Sequence, residues 1–302
     1  MENLNFKSGF VVVAGRTNTG KSTLINNILG SKILITSDKA QATRNRTNCI
    51  YNDKDSQIIF VDVPGFLKPK NLLTEKLNKL ILDTIADADI VLDVVDSSTG
   101  IGRGDFFIFE KIRKTHKPVI LLVNKIDITS RKKLEIELEK IKDFDFFKEI
   151  IMISALKDRN FNKLISAVKK YLPQGPAYYP EDMISDRPVR NIAEDIIRES
   201  LISVLEDELP HSVTVETDKF EEGLTKNKEK ITKISAVIYA QRQTHKLIII
   251  GKGGLMLKKA GMKARIMLEE FLGTKVHLEL WIKVRKNWTN DETALKDFGY
   301  DY

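Results

Sequence analysis

Cysteine is almost absent from this 302-residue sequence, since Cys49 is the only one. A single cysteine excludes intramolecular disulfides and cysteine-based zinc clusters, and it is typical of a reducing compartment. Long apolar runs are also missing: stretches such as 10–14 and 119–123 have the length of strands, whereas a membrane span needs about 20 apolar residues. The N-terminal residues 1–9 carry no such stretch either, so we expect neither a transmembrane helix nor a secretory signal.

Composition and charge indicate a globular protein with one basic region. Hydrophobic residues make up 42% and charged residues 30% of the chain, which is ordinary for folded proteins, and the length suggests two domains. The formal net charge is +7, but residues 231–290 hold twelve basic and three acidic side chains, so they carry +9 and the rest carries −2. A concentrated positive field predicts an anionic partner, and a solvated lysine face is the alternative.

Strand-sized apolar runs alternate with helix-period segments over residues 1–171. The predicted strands are 10–14, 57–62, 89–96, 118–124 and 149–154, and the predicted helices are 21–29, 72–86, 131–142 and 161–171. This alternation predicts an α/β domain with a mostly parallel sheet and helices on both faces.

A proline-rich stretch separates this unit from one of a different pattern. Residues 173–188 hold four prolines and lack apolar periodicity, so we predict domains at 1–172 and 189–302 with this stretch as the linker. In the second unit we predict a helix at 188–209 stopped by Pro210, strands at 213–219, 231–240 and 247–250, a helix at 254–272 and a strand at 275–285. That order predicts a compact α+β domain.

The residues after the first predicted strand read Gly15-Arg-Thr-Asn-Thr-Gly20-Lys21-Ser22, which matches G-x-x-x-x-G-K-S in its required strand–loop–helix setting. Glycines let backbone N–H groups point at phosphate oxygens, Lys21 neutralises the β- and γ-phosphates, and Ser22 offers a hydroxyl to Mg²⁺. The predicted phosphate-binding residues are Gly15, Asn18, Thr19, Gly20, Lys21, Ser22 and Thr23. The alternative is a chance glycine turn.

Three further motifs each follow a predicted strand, and together they indicate guanine. Asp62-Val-Pro-Gly65 places a carboxylate for a metal-bound water and a glycine N–H for the γ-phosphate. The aspartate of Asn124-Lys125-Ile-Asp127 accepts from the ring N–H and exocyclic amine of guanine, a donor pair that adenine lacks. Ser154-Ala155-Leu156 supplies a backbone N–H for the guanine carbonyl oxygen. Each match alone resembles an ordinary strand-to-loop transition, but the motifs in this order predict a site for GTP or GDP with Mg²⁺.

The second unit contains Ile248-Ile-Ile-Gly251-Lys252-Gly253-Gly254, a G-x-x-G loop with a lysine, as in KH domains. Such a loop admits a nucleic-acid backbone, while an apolar groove holds about four nucleotides of single-stranded RNA. The candidate RNA-binding residues are Gly251, Lys252, Gly253, Gly254, Lys258, Lys259, Lys263 and Arg265, with Lys283, Arg285 and Lys286 as a second patch. A bare glycine turn is the alternative. Trp281 and Trp288 are predicted to be core residues rather than stacking platforms for bases.

The order of these motifs resembles the translation-factor-related GTPases, and Gln41-Ala42-Thr43-Arg44 narrows the resemblance to the Era family over almost the whole chain. The resemblance implies an α/β P-loop GTPase domain followed by an α+β type II KH domain, with Thr43 reaching Mg²⁺ and the γ-phosphate beside Ser22 and Asp62. It also implies a bacterial GTPase that binds the 3′ end of 16S rRNA and acts in 30S subunit assembly. By the same resemblance the protein is cytoplasmic with peripheral association to the inner membrane face, and no stable protein partner can be deduced. Ala42, Thr17 and Thr19 depart from the threonine, proline and valine usual in the family.

Many GTPases have a glutamine directly after the D-x-x-G glycine, and that glutamine orients the attacking water. In this sequence the position after Gly65 is Phe66. We expect Phe66 to pack on the core and a slow basal reaction to depend on Lys21, Thr43, Gly65 and Mg²⁺. In GTPases that the P-loop resembles, the asparagine at Asn18 helps to coordinate K⁺, which implies K⁺ as a second cation. Two alternatives remain open: a membrane or division GTPase whose basic domain binds anionic lipid, and an RNA-binding module with a nearly inactive GTPase domain.

The two predicted halves suggest a switch. GTP is expected to order the region around Thr43 and the loop that begins at Gly65, and thereby to reposition the basic domain through residues 173–188. That change is expected to favour RNA binding, and hydrolysis is expected to release the RNA.

Overall fold

The computed structural model describes residues 5–36, 43–205, 212–225 and 227–302. The strands of the N-terminal domain are β1 (Lys7–Ala14), β2 (Thr47–Asp53), β3 (Ser56–Asp62), β4 (Ile90–Asp96), β5 (Val119–Asn124) and β6 (Phe147–Met152). They form one sheet in the order β2-β3-β1-β4-β5-β6, in which β2 is antiparallel to β3 and the other neighbouring pairs are parallel. The predicted mostly parallel sheet is confirmed.

Helices lie between the strands and bury the central sheet. They are α1 (Lys21–Leu29), α2 (Leu72–Asp87), α3 (Arg103–Arg113), α4 (Arg131–Glu139) and α5 (Phe161–Tyr171). Strands β3, β4 and β5 are buried at every position, as expected where both faces of a parallel sheet are covered. Because parallel strands all point the same way, the loops after β1, β3, β5 and β6 meet at one edge of the sheet.

Two elements of this domain lie outside the predicted set. Strand β2 has the sequence Thr-Asn-Cys-Ile-Tyr-Asn-Asp, whose polar ends are typical of an edge strand and give no apolar run. Helix α3 buries Ile108, Phe109 and Ile112 on one side, at the spacing of an amphipathic helix.

The C-terminal domain is built on a second sheet. Its elements are α6 (Val189–Val204), β7 (Val213–Leu224), β8 (Lys230–Ala240), α7 (Gln243–Ile250), α8 (Leu255–Leu272), β9 (Lys275–Val284) and α9 (Glu292–Asp297). The sheet order is β7-β8-β9, with β7 antiparallel and β9 parallel to β8. Helices α6 and α8 pack against it around buried residues such as Ile197, Leu201 and Leu268.

Two predictions in this domain are wrong at the level of single elements. Residues 247–250, predicted as a short strand, are the last turn of α7, in which Ile249 is buried. A run of four apolar residues does not distinguish a strand from a buried helical turn. The polar residues that precede the run belong to the same helix, which begins at Gln243. The first helix ends at Val204 rather than at 209, and Pro210, its predicted stop, lies outside the described residues.

The proline-rich stretch 173–188 lies along the N-terminal sheet instead of spanning free solvent. The side-chain oxygen of Gln57 accepts hydrogen bonds from the backbone N–H groups of Tyr178 and Tyr179, and the amide of Ile50 in β2 donates to the carbonyl of Ile184. Ser185 Oγ also donates to a β2 carbonyl. The stretch is therefore held on the edge strand up to the residues just before α6.

The last residues of the chain return to the N-terminal domain. Residues 288–302, called the C-terminal segment below, form a 3₁₀ turn, α9 and a tail. Trp288 and Leu295 of this segment are fully buried and pack with Leu73 and Leu77 of α2. Trp288 is thus a core residue as predicted, whereas the same prediction for Trp281 is wrong: its side chain is 60% exposed on β9.

No helix in the described ranges is both long and apolar enough to cross a membrane.

Candidate functional site

The loop between β1 and α1 has the backbone conformation of a phosphate-binding loop. Gly15, Asn18 and Gly20 all have positive φ angles, of 137°, 63° and 95°. A Cβ at Gly15 would lie 2.4 Å from the carbonyl oxygen of Val94, so glycine is required there. The loop ends directly at the N-terminus of α1, whose free N–H groups favour an anion.

Three oxygen-bearing side chains converge beside this loop. Ser22 Oγ donates to Asp62 Oδ2 at 3.0 Å, and Thr43 Oγ1 lies 3.3 Å from Ser22 Oγ and 3.4 Å from the same Asp62 oxygen. The other Asp62 oxygen is buried and has no hydrogen-bond partner among the described residues. Hydroxyl and carboxylate oxygens are the ligands that Mg²⁺ prefers, so the residues present fit this ion. The predicted metal ligands are therefore close together.

Buried charges surround the loop lysine. Lys21 is 6% exposed, and its Nζ donates to the carbonyl of Arg16 at 2.7 Å. Burial lowers the pKa of Lys21 to about 8, although the carboxylates of Asp62 and Asp93 oppose the shift. Burial likewise raises the pKa of Asp62 to about 6, against the attraction of Lys21. A cation and carboxylate held out of water are positioned to act strongly on phosphate and metal charges.

The segment after β3 comes into direct contact with the phosphate loop. The backbone N–H of Phe66 donates to the Gly15 carbonyl at 3.2 Å, and a Cβ on Gly65 would lie 2.5 Å from the amide nitrogen of Thr17. Phe66 is 9% exposed and packs in the core formed with Val12 and Ile81, as expected from its lack of catalytic chemistry. Glycine at 65 is thus required by the closeness of two backbones.

The predicted guanine-binding residues form one hydrogen-bonded unit. Asn124, which is 1% exposed, donates to the Thr19 carbonyl at 2.7 Å and accepts from the Ala155 amide at 2.9 Å. Ser154 Oγ donates to Asp127 Oδ1 at 2.6 Å, which fixes one carboxylate oxygen. Lys125, at a φ of 65°, donates to the Asn18 carbonyl and pairs with Asp96 at 2.7 Å. Leu156 is exposed next to them. The predicted guanine-binding loops are therefore hydrogen-bonded to the loop between β1 and α1.

In the C-terminal domain, the G-x-x-G loop joins α7 to α8. Gly251, Gly253 and Gly254 have φ values of 72°, 58° and 78°, and no atom lies within 4 Å of a Cβ built on Gly253 or Gly254. The loop continues into a groove of about 400 Å³ between α8 and β9. Its lining residues are Gly254, Leu257, Lys258, Gly261, Met262, Arg265, Leu278 and Leu280. An open glycine loop beside an apolar groove with a basic rim suits a single nucleic-acid strand.

The structure divides the predicted basic residues into separate sets. Lys252, Lys258, Lys259, Lys263 and Arg265 are exposed, but only Lys258 and Arg265 line the groove. Lys283 points to the face of β9 opposite Leu278 and Leu280, because side chains alternate along a strand. Arg285 pairs with Asp297 at 2.7 Å and lies over the Phe298 ring, while Lys286 is exposed. The second predicted patch is thus not part of the groove.

Comparison with known proteins decides the family. Residues 10–125 match the family model described as 50S ribosome-binding GTPase, and residues 208–289 match the model described as KH domain. The chain is 46% identical over 300 residues to GTPase Era of Alkaliphilus oremlandii, covering 99% of this chain and 100% of that protein. This chain belongs to the GTPase Era family. GTPase Era of Clostridioides difficile is also 46% identical, over 98% of this chain and 99% of its own length.

Solved Era structures have the same fold. A variant of Era from Aquifex aeolicus bound to GDP and AlF₄⁻ superposes with a TM-score of 0.92 at 38% identity, over 98% of this chain and 100% of that one. A structure of Era in complex with MgGDPNP and nucleotides 1506–1542 of 16S ribosomal RNA gives a TM-score of 0.92 at 37% identity, with the same coverage. The predictions of a P-loop GTPase domain, a KH domain and GTPase activity are confirmed.

Three residues near the predicted nucleotide site were given no role by the sequence motifs. Arg16 donates to Asp105 of α3 at 2.8 Å, which ties the phosphate loop to that helix. Asp93 of β4 is 1% exposed, and neither of its carboxylate oxygens has a partner in the described ranges. Arg44, directly after Thr43, is 1% exposed at the contact with the KH domain. Asp93 could have been identified from the sequence, because it is a charged residue within the apolar run of β4. The other two depend on distant partners that no local pattern shows.

Proposed function

We propose that this Era-family GTPase binds the single-stranded 3′ end of 16S rRNA in its KH groove, under the control of GTP, and acts in assembly of the 30S subunit. The observation that carries the proposal is the full-length likeness to an Era bound to MgGDPNP and nucleotides 1506–1542 of 16S rRNA. The groove supports it, since its floor is apolar and its rim carries Lys258 and Arg265.

For the nucleotide we propose the residue roles predicted from the motifs. Residues 15 and 18–23 hold the phosphates, with Lys21 against the β- and γ-oxygens. Asp127, Ala155 and the loop through Leu156 read guanine. Asn124 and Lys125 act by fastening that loop to the phosphate loop, as their hydrogen bonds suggest.

Ser22, Thr43 and Asp62 would hold Mg²⁺, which neutralises charge on the β- and γ-phosphates when it is bound. Gly65 brings its N–H toward the γ-phosphate, and the buried Lys21 stabilises the charge that develops on it. Because Phe66 offers no group to orient water, the chain's own residues support slow hydrolysis. We propose that K⁺ beside Asn18 adds positive charge to the site, and equal rates in KCl and NaCl would contradict this.

We also propose the boundaries 1–172, 173–188 and 189–302 for GTPase domain, linker and KH domain. Because residues 178–186 are hydrogen-bonded to β2 and Gln57, a movement of the KH domain would have its hinge between Asp186 and Val189. A cytoplasmic location with peripheral membrane association follows from the family resemblance alone, and cell fractionation tests it.

RNA binding is tested with a matched pair of glycine variants. Gly253 and Gly273 flank the same helix, both have positive φ, and both have open space where a Cβ would be. Gly253→Asp should weaken binding of a labelled 16S 3′-end oligonucleotide at least tenfold, because it brings a carboxylate to the phosphate path. Gly273→Asp, which introduces similar strain at the other end of α8, should leave that affinity within twofold.

The measurement is fluorescence anisotropy with GDPNP, with GDP and without nucleotide. Equal RNA affinity in all three states would contradict control by GTP. Equal affinity of the two variants would contradict the groove as the binding site. If both variants bind anionic vesicles rather than RNA, the alternative of a membrane GTPase replaces this proposal.

A further inference from the structure

Arg44 is buried between the two domains, although it follows directly after Thr43. Its side chain is 1% exposed, and Nη1 donates to the carbonyl of Val213 in β7 at 2.9 Å. Its guanidinium lies 5.7 Å from the centre of the Trp288 ring, which is fully buried. Val213 belongs to β7 of the C-terminal domain, and Trp288 belongs to the C-terminal segment.

The backbone around Arg44 is held from the same side. The hydroxyl of Tyr302 donates to Asn45 Oδ1 at 2.6 Å, and its oxygen lies 3.3 Å from the Arg44 carbonyl oxygen. Val213, Trp288 and Tyr302 thus enclose both the side chain and the main chain of Arg44. We call these three residues the arginine seat.

The C-terminal segment also contacts the helix that follows the Gly65 loop. The backbone N–H of Leu72 donates to Asn290 Oδ1 at 3.2 Å, and Leu73 and Leu77 pack with Trp288 and Leu295. One short piece of chain therefore contacts both the residues that follow Thr43 and the helix that follows the Gly65 loop.

We propose that Arg44 is a positioning residue for Thr43, and that the arginine seat holds this threonine at the metal site. The inference rests on the proposed role of Thr43 as ligand of Mg²⁺ and the γ-phosphate. Adjacent Cα atoms are about 3.8 Å apart, so Thr43 cannot move several ångströms away from Ser22 and Asp62 while Arg44 stays in its seat. Withdrawing a buried guanidinium from its hydrogen bonds is costly, which opposes that movement.

A consequence is that the RNA-binding half of the protein contributes to the choice between GTP and GDP. A nucleotide with a γ-phosphate gains more from a correctly placed Thr43 than GDP does, because the contact between Thr43 and the γ-phosphate exists only in the triphosphate. Thermodynamic linkage then requires that the triphosphate stabilises the seated arrangement of the KH domain to the same extent.

The test uses the full chain without RNA and measures dissociation constants for GDPNP and GDP in the presence of Mg²⁺. Tyr302→Phe keeps the ring and removes the hydroxyl that donates to Asn45 Oδ1 and lies beside the Arg44 carbonyl. It should weaken GDPNP binding roughly 3- to 10-fold, the range expected for the loss of one hydrogen bond, and leave GDP binding within twofold. Arg44→Ala should act in the same direction and more strongly.

Controls separate positioning from folding. Tyr178→Phe removes a hydroxyl from an exposed tyrosine, and Arg46→Ala removes an exposed arginine next to the seat, so neither should change the ratio of GDPNP to GDP affinity. Thr43→Ala should reproduce the selective loss for GDPNP, and adding Tyr302→Phe to it should cost nothing further.

Each outcome is decisive. Suppose that Thr43→Ala selectively weakens GDPNP binding, but that Tyr302→Phe and Arg44→Ala weaken the binding of GDPNP and GDP equally or leave both unchanged. Arg44 then does not position Thr43, and the inference is wrong. If Thr43→Ala itself is not selective, the proposed ligand role of Thr43 fails and the inference fails with it. Full additivity in the double variant would also contradict it, because the two residues would then act independently.

Discussion

The side-chain amide of Asn124 donates to the backbone carbonyl of Thr19 at 2.7 Å, so the predicted guanine-binding loop is tied to the predicted phosphate-binding loop. The same side chain accepts from the amide of Ala155 at 2.9 Å. Asn124 is buried, and the space around it is filled: a Cβ on Gly20 would lie 2.4 Å from its nitrogen. One residue thus links the loop after β1 to the loop after β6.

Asn124→Ala should weaken GTP and GDP binding alike, by roughly 10- to 100-fold. Two buried hydrogen bonds are lost, and each is worth about 1 kcal/mol, with a further cost for the Thr19 and Ala155 groups left without partners. The measurement is the dissociation constant of each nucleotide by fluorescence titration. A loss confined to GTP would show that Asn124 acts through the γ-phosphate side instead.

Gly65→Ala should lower single-turnover hydrolysis at least tenfold, because the added methyl would lie 2.5 Å from the backbone nitrogen of Thr17. The two backbones must separate, which would move the Gly65 N–H away from its proposed position at the γ-phosphate. Gly102→Ala is the matched control, since a Cβ there meets nothing within 4 Å and the φ is ordinary at −146°. Equal rates for the two variants would contradict the close approach as a requirement of the reaction.

Asp93→Asn should stabilise the protein at high pH and not at low pH. Burial raises the pKa of Asp93 to about 8 from an ordinary value of 3.8, with Asp105 adding to the shift and Lys21 opposing it. Below pH 4 the carboxyl is neutral in both folded and unfolded states. Between pH 4 and pH 8 the unfolded chain ionises it more readily, so the wild-type protein loses stability as pH rises, by about 1.4 kcal/mol per pH unit at most.

The measurement for Asp93 is the thermal midpoint of wild type and Asp93→Asn at pH 5, 7 and 8.5. The gap in favour of the variant should widen with pH. A gap that stays constant would indicate that Asp93 is paired in the folded protein in a way that keeps it charged.

Most of the fold could be predicted from the sequence because it is encoded locally. The phosphate loop is one such case. Eight consecutive residues, 15–22, determine the positive φ angles at Gly15, Asn18 and Gly20 and the start of the following helix. Strand β2 could not be predicted, because it is stabilised by pairing with β3 and by the linker rather than by its own composition. The same holds for residues 247–250, whose helical state depends on burying Ile249.

The arginine seat could not be predicted for a related reason. Its members lie 169 to 258 positions from Arg44 along the chain, and nothing next to Arg44 indicates burial. Conversely, the prediction of Trp281 as core was wrong because alternation along β9 directs it away from the helices, and an apolar strand pattern alone does not say which face is covered. Trp288, in contrast, is buried because it packs against α2.

The division of the basic residues leads to a final prediction about salt. Lys258 lies on the rim of the groove with Gly254 and Gly261, whereas Lys283 is on the opposite face of β9. Each phosphate contact on a single strand contributes about 0.7 to the slope of log K against log salt concentration. Lys258→Ala should therefore reduce the slope for the 16S 3′-end oligonucleotide by about this amount, while Lys283→Ala leaves it unchanged. Anisotropy titrations over a range of KCl concentrations measure both slopes, and a reduced slope for Lys283→Ala would show that the RNA also crosses the outer face of the sheet.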